Sequence, residues 1–275
     1  MARRNIFDIL SEKNDIHDEL VRIENFLKSS SVDGQELEEI IDEYCFKDWK
    51  ARGRNASCEE VRNKLGINQV YIYSELIAWD EEHVLYYLEY ISNLIWLCEQ
   101  KYEDNDTEYD KEYDYLKESV LALVEDLGYE ARVFEDEEKV LLVEKDAAMT
   151  AVAEIVKPEL AYEVIEYNHH SMKGDIAGKQ KILKVLADEF EPKREELKKI
   201  NKELESNTGY LLNKMNIRHN NIDGKNAIEY VKNLSDEQLE EWYDETYQML
   251  LLCLLEYDNI KRNENVNELK KMIEK

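Results

Sequence analysis

Apolar residues recur every three or four positions along most of this chain, which is the spacing of one face of an α-helix. The clearest early case predicts an amphipathic helix with an apolar stripe at Ile16, Leu20, Ile23 and Leu27. With only two prolines and eight glycines in 275 residues, the chain has few obligatory helix breaks. The pattern therefore predicts a mainly α fold built from one or more multi-helix bundles.

Three more helices are predicted in the amino-terminal part. One covers residues 34–49, and a short one follows the capping pair Ser57 and Glu60. The stretch from Val70 to Gln100 is the richest in large apolar residues and predicts one central buried helix. Residues 101–115 alternate acids with tyrosines and are interpreted as a solvated connection running into a further helix.

Residues 129–145 interrupt the helical pattern. Two short β-prone runs, YEARVF and KVLLVE, flank an acidic turn and predict one small β-hairpin. This hairpin suggests three parts: an acidic helical domain at 1–125, the hairpin connection at 126–145, and a carboxy-terminal helical domain at 146–275.

Local signals also set helix boundaries in the carboxy-terminal part. Pro158 suits the first residue of a helix, and Asp175 can cap another that runs to Phe190. A helix starting at Pro192 is expected to reach Arg218. Ser235 and Gln238 form a capping box for a helix from Asp236 to about Ile260, with one face traced by Leu239, Trp242, Thr246, Met249, Cys253 and Tyr257.

Composition adds a cellular setting. The four cysteines are scattered and form no CxxC pair, so they indicate neither a zinc site nor a disulfide framework. The sequence contains no apolar run of signal-peptide or membrane-spanning length. These features predict a cytoplasmic protein without a membrane partner.

The charge is strongly negative, with 36 Lys and Arg against 63 Asp and Glu, a net of −27. Such a field repels nucleic acid in general. Residues 166–234 are the exception, because they contain 13 Lys and Arg against 11 Asp and Glu, a net of +2. Any nucleic-acid contact is therefore expected in this segment.

Three familiar kinds of site are disfavoured. GDIAGKQ, at 174–180, has three residues between its glycines and Gln180 after Lys179, whereas a phosphate loop needs four residues and a Ser or Thr. A helix start is the better interpretation. The adjacent His169 and His170 point about 100° apart on a helix, which is wrong for two metal ligands on one face. A serine hydrolase elbow, GxSxG, does not occur.

Two polar loops remain as candidate chemistry, YNHH at 167–170 and NIRHNN at 216–221. An imidazole can move a proton during RNA cleavage, an Arg can stabilise charge on the phosphate, and Asn side chains can orient both. The alternative is structural, because Arg and His complement a helix carboxy-terminus and Asn tolerates the left-handed conformation that ends helices. Both interpretations stay open.

The run YNHHSMKGDIAGKQKILKVLADEFEPKREELKKINKELESNTGYLLNKMNIRHNN resembles the carboxy-terminal region of bacterial abortive-infection proteins, which are often grouped with the HEPN helical ribonucleases. The resemblance covers roughly residues 145–260, and Arg218 is its sharpest point. It implies an all-α domain that dimerises to bring two Arg-containing motifs together and cuts RNA without a metal.

One departure from the family motif matters. In that motif a His follows the Arg after four to six intervening positions, and those positions here hold Asp223, Gly224 and Lys225. Either His219 or a loop histidine takes the role of that His, or the chain is a non-catalytic relative.

These observations lead to a prophage- or defence-associated protein whose carboxy-terminal domain cleaves or binds RNA, with no metal or other cofactor. Arg218 and His219 would be catalytic, and the supporting residues would be Asn220, Asn221, His169 and His170. Whether the chain is an enzyme stays open. The alternatives are an acidic interaction protein that binds a basic partner or mimics nucleic acid, and a helical scaffold that forms a homo-oligomer, a dimer in the simplest case, through the 236–260 helix.

Overall fold

The structure is a computed structural model that describes residues 15–29, 34, 36–68, 71–72, 75–76, 79–102 and 110–274. Its α-helices in these ranges are α1 (Ile16–Leu27), α2 (Leu37–Tyr44), α3 (Cys58–Leu65), α4 (Glu81–Tyr102), α5 (Asp110–Asp126), α6 (Ala147–Ile155), α7 (Pro158–Tyr167), α8 (Ile176–Phe190), α9 (Arg194–Ile200), α10 (Lys202–Lys214), α11 (Glu229–Lys232) and α12 (Asp236–Ile273). The strands are β1 (Tyr71–Ile72), β2 (Glu75–Leu76), β3 (Tyr129–Phe134) and β4 (Lys139–Glu144). The mainly α fold class with a hairpin near 129–145 is confirmed.

The chain divides into two compact units, Met1–Leu142 and Val143–Lys275. The division falls inside β4, so β3 and most of β4 belong to the amino-terminal unit. The sequence had instead set residues 126–145 apart as a connection. Residues 103–109, from the middle of the acidic tyrosine tract, lie outside the described residues.

Local capping signals explain where α3 begins and ends. The Ser57 hydroxyl accepts the Glu60 N–H at 3.2 Å, as the capping pair predicts. The Glu60 carboxylate accepts the Ala56 N–H at 2.7 Å instead of the Ser57 N–H. The second hydrogen bond of the capping box is therefore displaced by one residue towards the amino terminus. Gly66, with φ 72°, supplies the left-handed residue that ends the helix.

The predicted helix from Val70 to Gln100 is wrong at its start. Residues 71–76 contain β1 and β2, paired antiparallel with Tyr71 opposite Leu76. Their β-branched and aromatic composition favours extended backbone. The helix begins only at Glu81, after Asp80 accepts the His83 N–H at 3.0 Å.

The hairpin is held within its unit by side-chain hydrogen bonds, among them those of Asn93 and Trp49. The Asn93 amide on α4 donates to the Val140 carbonyl and accepts the Val140 N–H, both at 2.8 Å. The Trp49 indole N–H donates to the Glu138 carbonyl at 2.5 Å. These bonds satisfy backbone groups that an isolated two-stranded ribbon leaves to water.

A buried ion cluster joins four helices of the amino-terminal unit. The Arg62 guanidinium on α3 donates to both carboxylate oxygens of Glu24 on α1, at 3.1 and 2.8 Å, and to Glu38 on α2 at 2.6 Å. From α4, the Tyr87 hydroxyl donates to Glu24 and the Tyr90 hydroxyl to Glu38. Arg62 and Glu24 are almost fully shielded from solvent, and no local sequence pattern predicts this cluster.

Several helix starts in the carboxy-terminal unit are confirmed. Pro158 is the first residue of α7. Proline lacks an N–H, and at this position a backbone N–H would have no acceptor within the helix. The Asp175 carboxylate accepts the Gly178 N–H at 2.9 Å and caps α8. GDIAGKQ is therefore a helix start, as predicted.

The predicted single helix from Pro192 to Arg218 is wrong, because it is broken at Asn201. Asn201 leaves the helical conformation with φ −137° and ψ 79°. Its side chain accepts the Leu204 N–H at 3.1 Å, so it caps α10 instead of continuing α9.

The long helix α12 begins after the Ser235 and Gln238 capping box, as predicted, but it extends to Ile273 instead of ending near Ile260. Its buried face is also wider than one stripe, because α6, α8 and α10 all pack against it. Trp242, which belonged to the predicted face, is exposed. The buried residues of this helix are Leu239, Tyr243, Thr246, Tyr247, Leu250, Leu251, Cys253 and Leu254.

Within the described ranges, every helix is too short or too polar to cross a membrane.

Candidate functional site

The stretch after α10 is a tight turn stabilised by two asparagines. Asn216 has a left-handed backbone, with φ 58°. The Asn216 N–H donates to the Asn221 side chain at 3.0 Å, and the Asn221 N–H donates to the Asn216 side chain at 3.1 Å. The buried Asn221 amide also donates to the Asn226 carbonyl at 3.2 Å. Asn221 is therefore held inside the turn and is not available to orient a substrate.

Asn220 has a similar local role. Its side-chain oxygen accepts the Ile222 N–H at 3.1 Å and the Asp223 N–H at 2.9 Å, an Asx turn. Hydrogen bonds within the turn thus engage the side chains of both Asn220 and Asn221, and the left-handed residue is Asn216.

Arg218 lies against the carboxy-terminal end of α8. Its guanidinium donates to the Ala187 carbonyl at 3.0 Å and forms an ion pair with Glu191 at 2.5 Å. The Arg218 side chain is 20% exposed and that of Glu191 53% exposed. The arginine is therefore positioned by the helix end, while its carboxylate partner reaches solvent.

A second arginine shares the same carboxylate. The Arg194 guanidinium lies 3.2 Å from Glu191 and donates to the nearly buried Glu205 at 2.7 Å. Glu191 thus lies between two guanidinium groups, from Arg194 and Arg218. We call these two residues the arginine pair.

The packing around the arginine pair depends on a glycine. A Cβ at Gly209 would lie 2.9 Å from Nη2 of Arg194, so the absence of a side chain lets the guanidinium approach α10 closely. Burial alone would raise the pKa of Glu191, but hydrogen bonds and charge from Arg218, with further charge from Arg194, lower it overall. Glu191 therefore stays ionised near neutral pH.

The histidines do not join this pair. His219 is exposed beside Arg218. His169 caps the short turn His170–Met172, accepting the Ser171 N–H at 3.3 Å, and its backbone pairs with Val143. The rings of His169 and His170 lie 4.3 Å apart, and His170 is buried.

The two predicted loops meet opposite ends of α8. The His169 loop leads into the helix at Asp175, whereas Arg218 contacts it at Ala187. Twelve residues at 1.5 Å each separate these contacts by about 18 Å along the axis. The structure brings Arg218 together with Arg194 and Glu191, and not with His169 or His170.

Lys179, within GDIAGKQ, is engaged elsewhere. Its ammonium group is buried and lies 2.7 Å from both Glu240 and Asp244 on α12. It also lies 5.2 Å from the centre of the Tyr167 ring, whose hydroxyl donates to Asp244 at 2.9 Å. This lysine stabilises the contact between α8 and α12 and does not face a ligand.

The sequence had not singled out Arg194 or Glu191. Glu191 and Arg194 are three residues apart and pair locally, whereas the contact of Arg194 with Glu205 depends on the break at Asn201, which folds α9 and α10 together. The advance signals were that spacing and the local excess of Lys and Arg between residues 166 and 234.

Comparisons with protein-family models, with curated proteins and with solved structures found no match to this chain.

Proposed function

We propose that the carboxy-terminal unit binds RNA through the arginine pair, in a protein of the prophage- or defence-associated type. The observation that carries the proposal is the convergence of two partly exposed guanidinium groups on one half-exposed carboxylate. A guanidinium matches the geometry of phosphate oxygens as well as that of a carboxylate. A phosphate group can therefore take the position of the Glu191 carboxylate between Arg194 and Arg218.

The surrounding charge supports the same site. Residues 166–234 have a net charge of +2 in a chain of net −27. Lys184 on α8 and Lys214 at the end of α10 are exposed. Phosphate binding depends on such local cations, so RNA contact belongs to this segment and not to the acidic remainder.

The arginine pair accounts for phosphate binding, whereas cleavage also needs a general acid or base. Proton transfer needs an acid or base within about 3 Å of the reacting group, directly or through one water. His219 is the histidine adjacent to the arginine pair, whereas His169 and His170 precede the opposite end of α8. The defence context rests on the resemblance of residues 145–260 to abortive-infection proteins. This chain lacks the histidine that follows the arginine in the motif of that family.

Arg218→Ala should weaken binding of a fluorescent single-stranded RNA about tenfold or more in low salt, because a charged hydrogen bond to phosphate is lost. The slope of log affinity against log salt should fall by about 1. His219→Ala should bind like wild type, and RNA on a gel should stay intact. Fluorescence anisotropy in EDTA measures the affinity.

Arg132→Ala is the matched control, because it removes one partly exposed arginine from β3 in the other unit. Thermal melting checks that each variant folds. Equal binding by wild type, Arg218→Ala and Arg132→Ala would overturn the RNA proposal. If the wild-type protein cleaves RNA and His219→Ala abolishes the cleavage, the proposal that the site binds RNA without cleaving it would be overturned.

A further inference from the structure

The carboxy-terminal part of α12 extends beyond the rest of its unit. Every residue from 261 to 274 is exposed, and α12 remains helical to Ile273. Near the base of this extension, the Lys193 ammonium lies 5.3 Å from the centre of the Tyr257 ring. Residues 261–273 span about 20 Å, and a helix of this length is only marginally stable alone in water. A packing partner would stabilise it.

The extension has an apolar stripe with coiled-coil spacing. Leu252, Val266, Leu269 and Ile273 are 48%, 47%, 54% and 73% exposed. Together with three intervening positions they are spaced alternately three and four residues apart, the a and d positions of a heptad repeat. We call this set the α12 seam: Leu252, Leu255, Asn259, Arg262, Val266, Leu269 and Ile273.

The α12 seam faces away from the core of its unit. Leu250 and Leu254 are buried, whereas Leu252 between them is nearly half exposed. Successive residues turn by about 100°, so Leu252 lies about 200° from each of the two. One side of α12 thus packs inside the unit and the opposite side remains available.

Charge along α12 is divided between its ends. Residues 236–258 contain eight Asp and Glu and no Lys or Arg. Residues 259–275 contain five Lys and Arg against three Glu, a net of +2. A parallel pair sets the two net-basic segments beside one another, whereas in an antiparallel pair centred near residue 260 residues 263–275 lie beside residues 246–258, which contain Glu256, Asp258 and no Lys or Arg.

We propose that two copies of this chain associate through antiparallel packing of their α12 seams. With the pair centred between Ile260 and Lys261, Leu252 meets Leu269 of the second copy, and Leu255 meets Val266. Asn259 meets Arg262 in two symmetry-related layers, so the polar residues pair with each other, and such polar layers favour one register. A parallel pair would instead bring Arg262 against Arg262 of the second copy.

This interface is independent of the RNA proposal, because the α12 seam does not include Arg194 or Arg218. Light scattering of the full chain, eluted over a range of concentrations, should give twice the monomer mass. Leu269→Asp should weaken dimerisation at least about tenfold, because it places a charge in two apolar layers of the pair.

The matched control is Asn267→Asp, which adds the same charge on the same turn but away from the seam. It should dimerise within about twofold of wild type, as surface substitutions generally do. A monomeric wild type, or equal dimerisation by Leu269→Asp and Asn267→Asp, would overturn the interface.

Cysteine cross-linking tests the direction. Leu252→Cys and Leu269→Cys chains of different tag length, mixed and mildly oxidised, should form a mixed disulfide. The four native cysteines are buried and should not compete. Preferential coupling of Leu252→Cys to itself would overturn the antiparallel arrangement.

Discussion

Replacing Arg62 with Met should lower the free energy of unfolding of the amino-terminal unit by about 3–5 kcal/mol. The change removes both guanidinium hydrogen bonds from the carboxylate of Glu24, which is 0% exposed. Glu38 also loses its guanidinium partner. Urea denaturation followed by tryptophan fluorescence gives the free energy, since Trp49 and Trp79 belong to this unit.

Arg22→Ala is the control for this prediction, because Arg22 pairs with Glu19 on the exposed side of the same helix as Glu24. It should change stability by less than about 0.5 kcal/mol. Glu24→Gln combined with Arg62→Met should cost less than the sum of the single changes, by about 0.5–3 kcal/mol. Strict additivity would mean that Arg62 and Glu24 do not stabilise one another.

The same cluster sets an acid dependence. Burial alone would raise the pKa of Glu24, but Arg62, Lys28 and Tyr87 lower it overall below its ordinary value of 4.5. A carboxylate with a lowered folded-state pKa contributes stability above its unfolded pKa, and this contribution is lost as the pH falls through the folded value. Glu24→Gln should therefore flatten the loss of stability below about pH 4.5.

Replacing Lys179 with Met should destabilise the carboxy-terminal unit by about 2–3 kcal/mol, because the charged hydrogen bonds to Asp244 and Glu240 are lost together. Burial would raise the pKa of Glu240, but hydrogen bonds from Lys179 and the Gly174 N–H lower it overall. Removing the lysine should thus raise this pKa. Hydrogen exchange of α8 and α12 amides measures the effect.

Lys184→Met provides the comparison, since Lys184 lies on the exposed side of α8 and donates to Gln180. Its effect on exchange should be below about 0.5 kcal/mol. Similar losses for the two variants would mean that the buried lysine contributes no more than an exposed one.

Much of the fold could be predicted because its signals are local. Ser57, Asp175 and Ser235 cap the helices that they were expected to cap, and Pro158 begins α7. Such signals depend on a few neighbouring residues, so they can be read without knowing the tertiary structure.

The predicted helix boundaries were wrong where local sequence preferences compete with tertiary packing. An apolar run at 70–100 fits a helix or a strand equally well by hydrophobicity, and its aromatic and β-branched start took the extended form. The break at Asn201 depends on a single cap. The continuation of α12 past Ile260 lacks a buried face within its unit, and the predicted helix therefore ended near that residue.

The candidate site was predicted only in part. The sequence identified Arg218 and the less acidic segment around it, but the partners of Arg218 come from residues 27 and 31 positions earlier. Arg194 pairs with Glu191 at the local i,i+3 spacing, but it meets Glu205 through helix packing that no spacing rule encodes. Asn220 and Asn221 have the residue types of a catalytic site, yet their hydrogen bonds belong to the turn.

If RNA binds as proposed, a phosphate replaces the Glu191 carboxylate between Arg194 and Arg218. The most direct measurement is the RNA affinity of Glu191→Gln beside that of Arg218→Ala, at one low salt concentration. Removing the competing carboxylate should strengthen binding about three- to tenfold, because two weak ion pairs no longer have to be broken. Arg218→Ala should weaken RNA binding, so the substitutions at Glu191 and Arg218 should change the affinity in opposite directions. A folded Glu191→Gln protein that binds RNA no more tightly than wild type would contradict phosphate binding between Arg194 and Arg218.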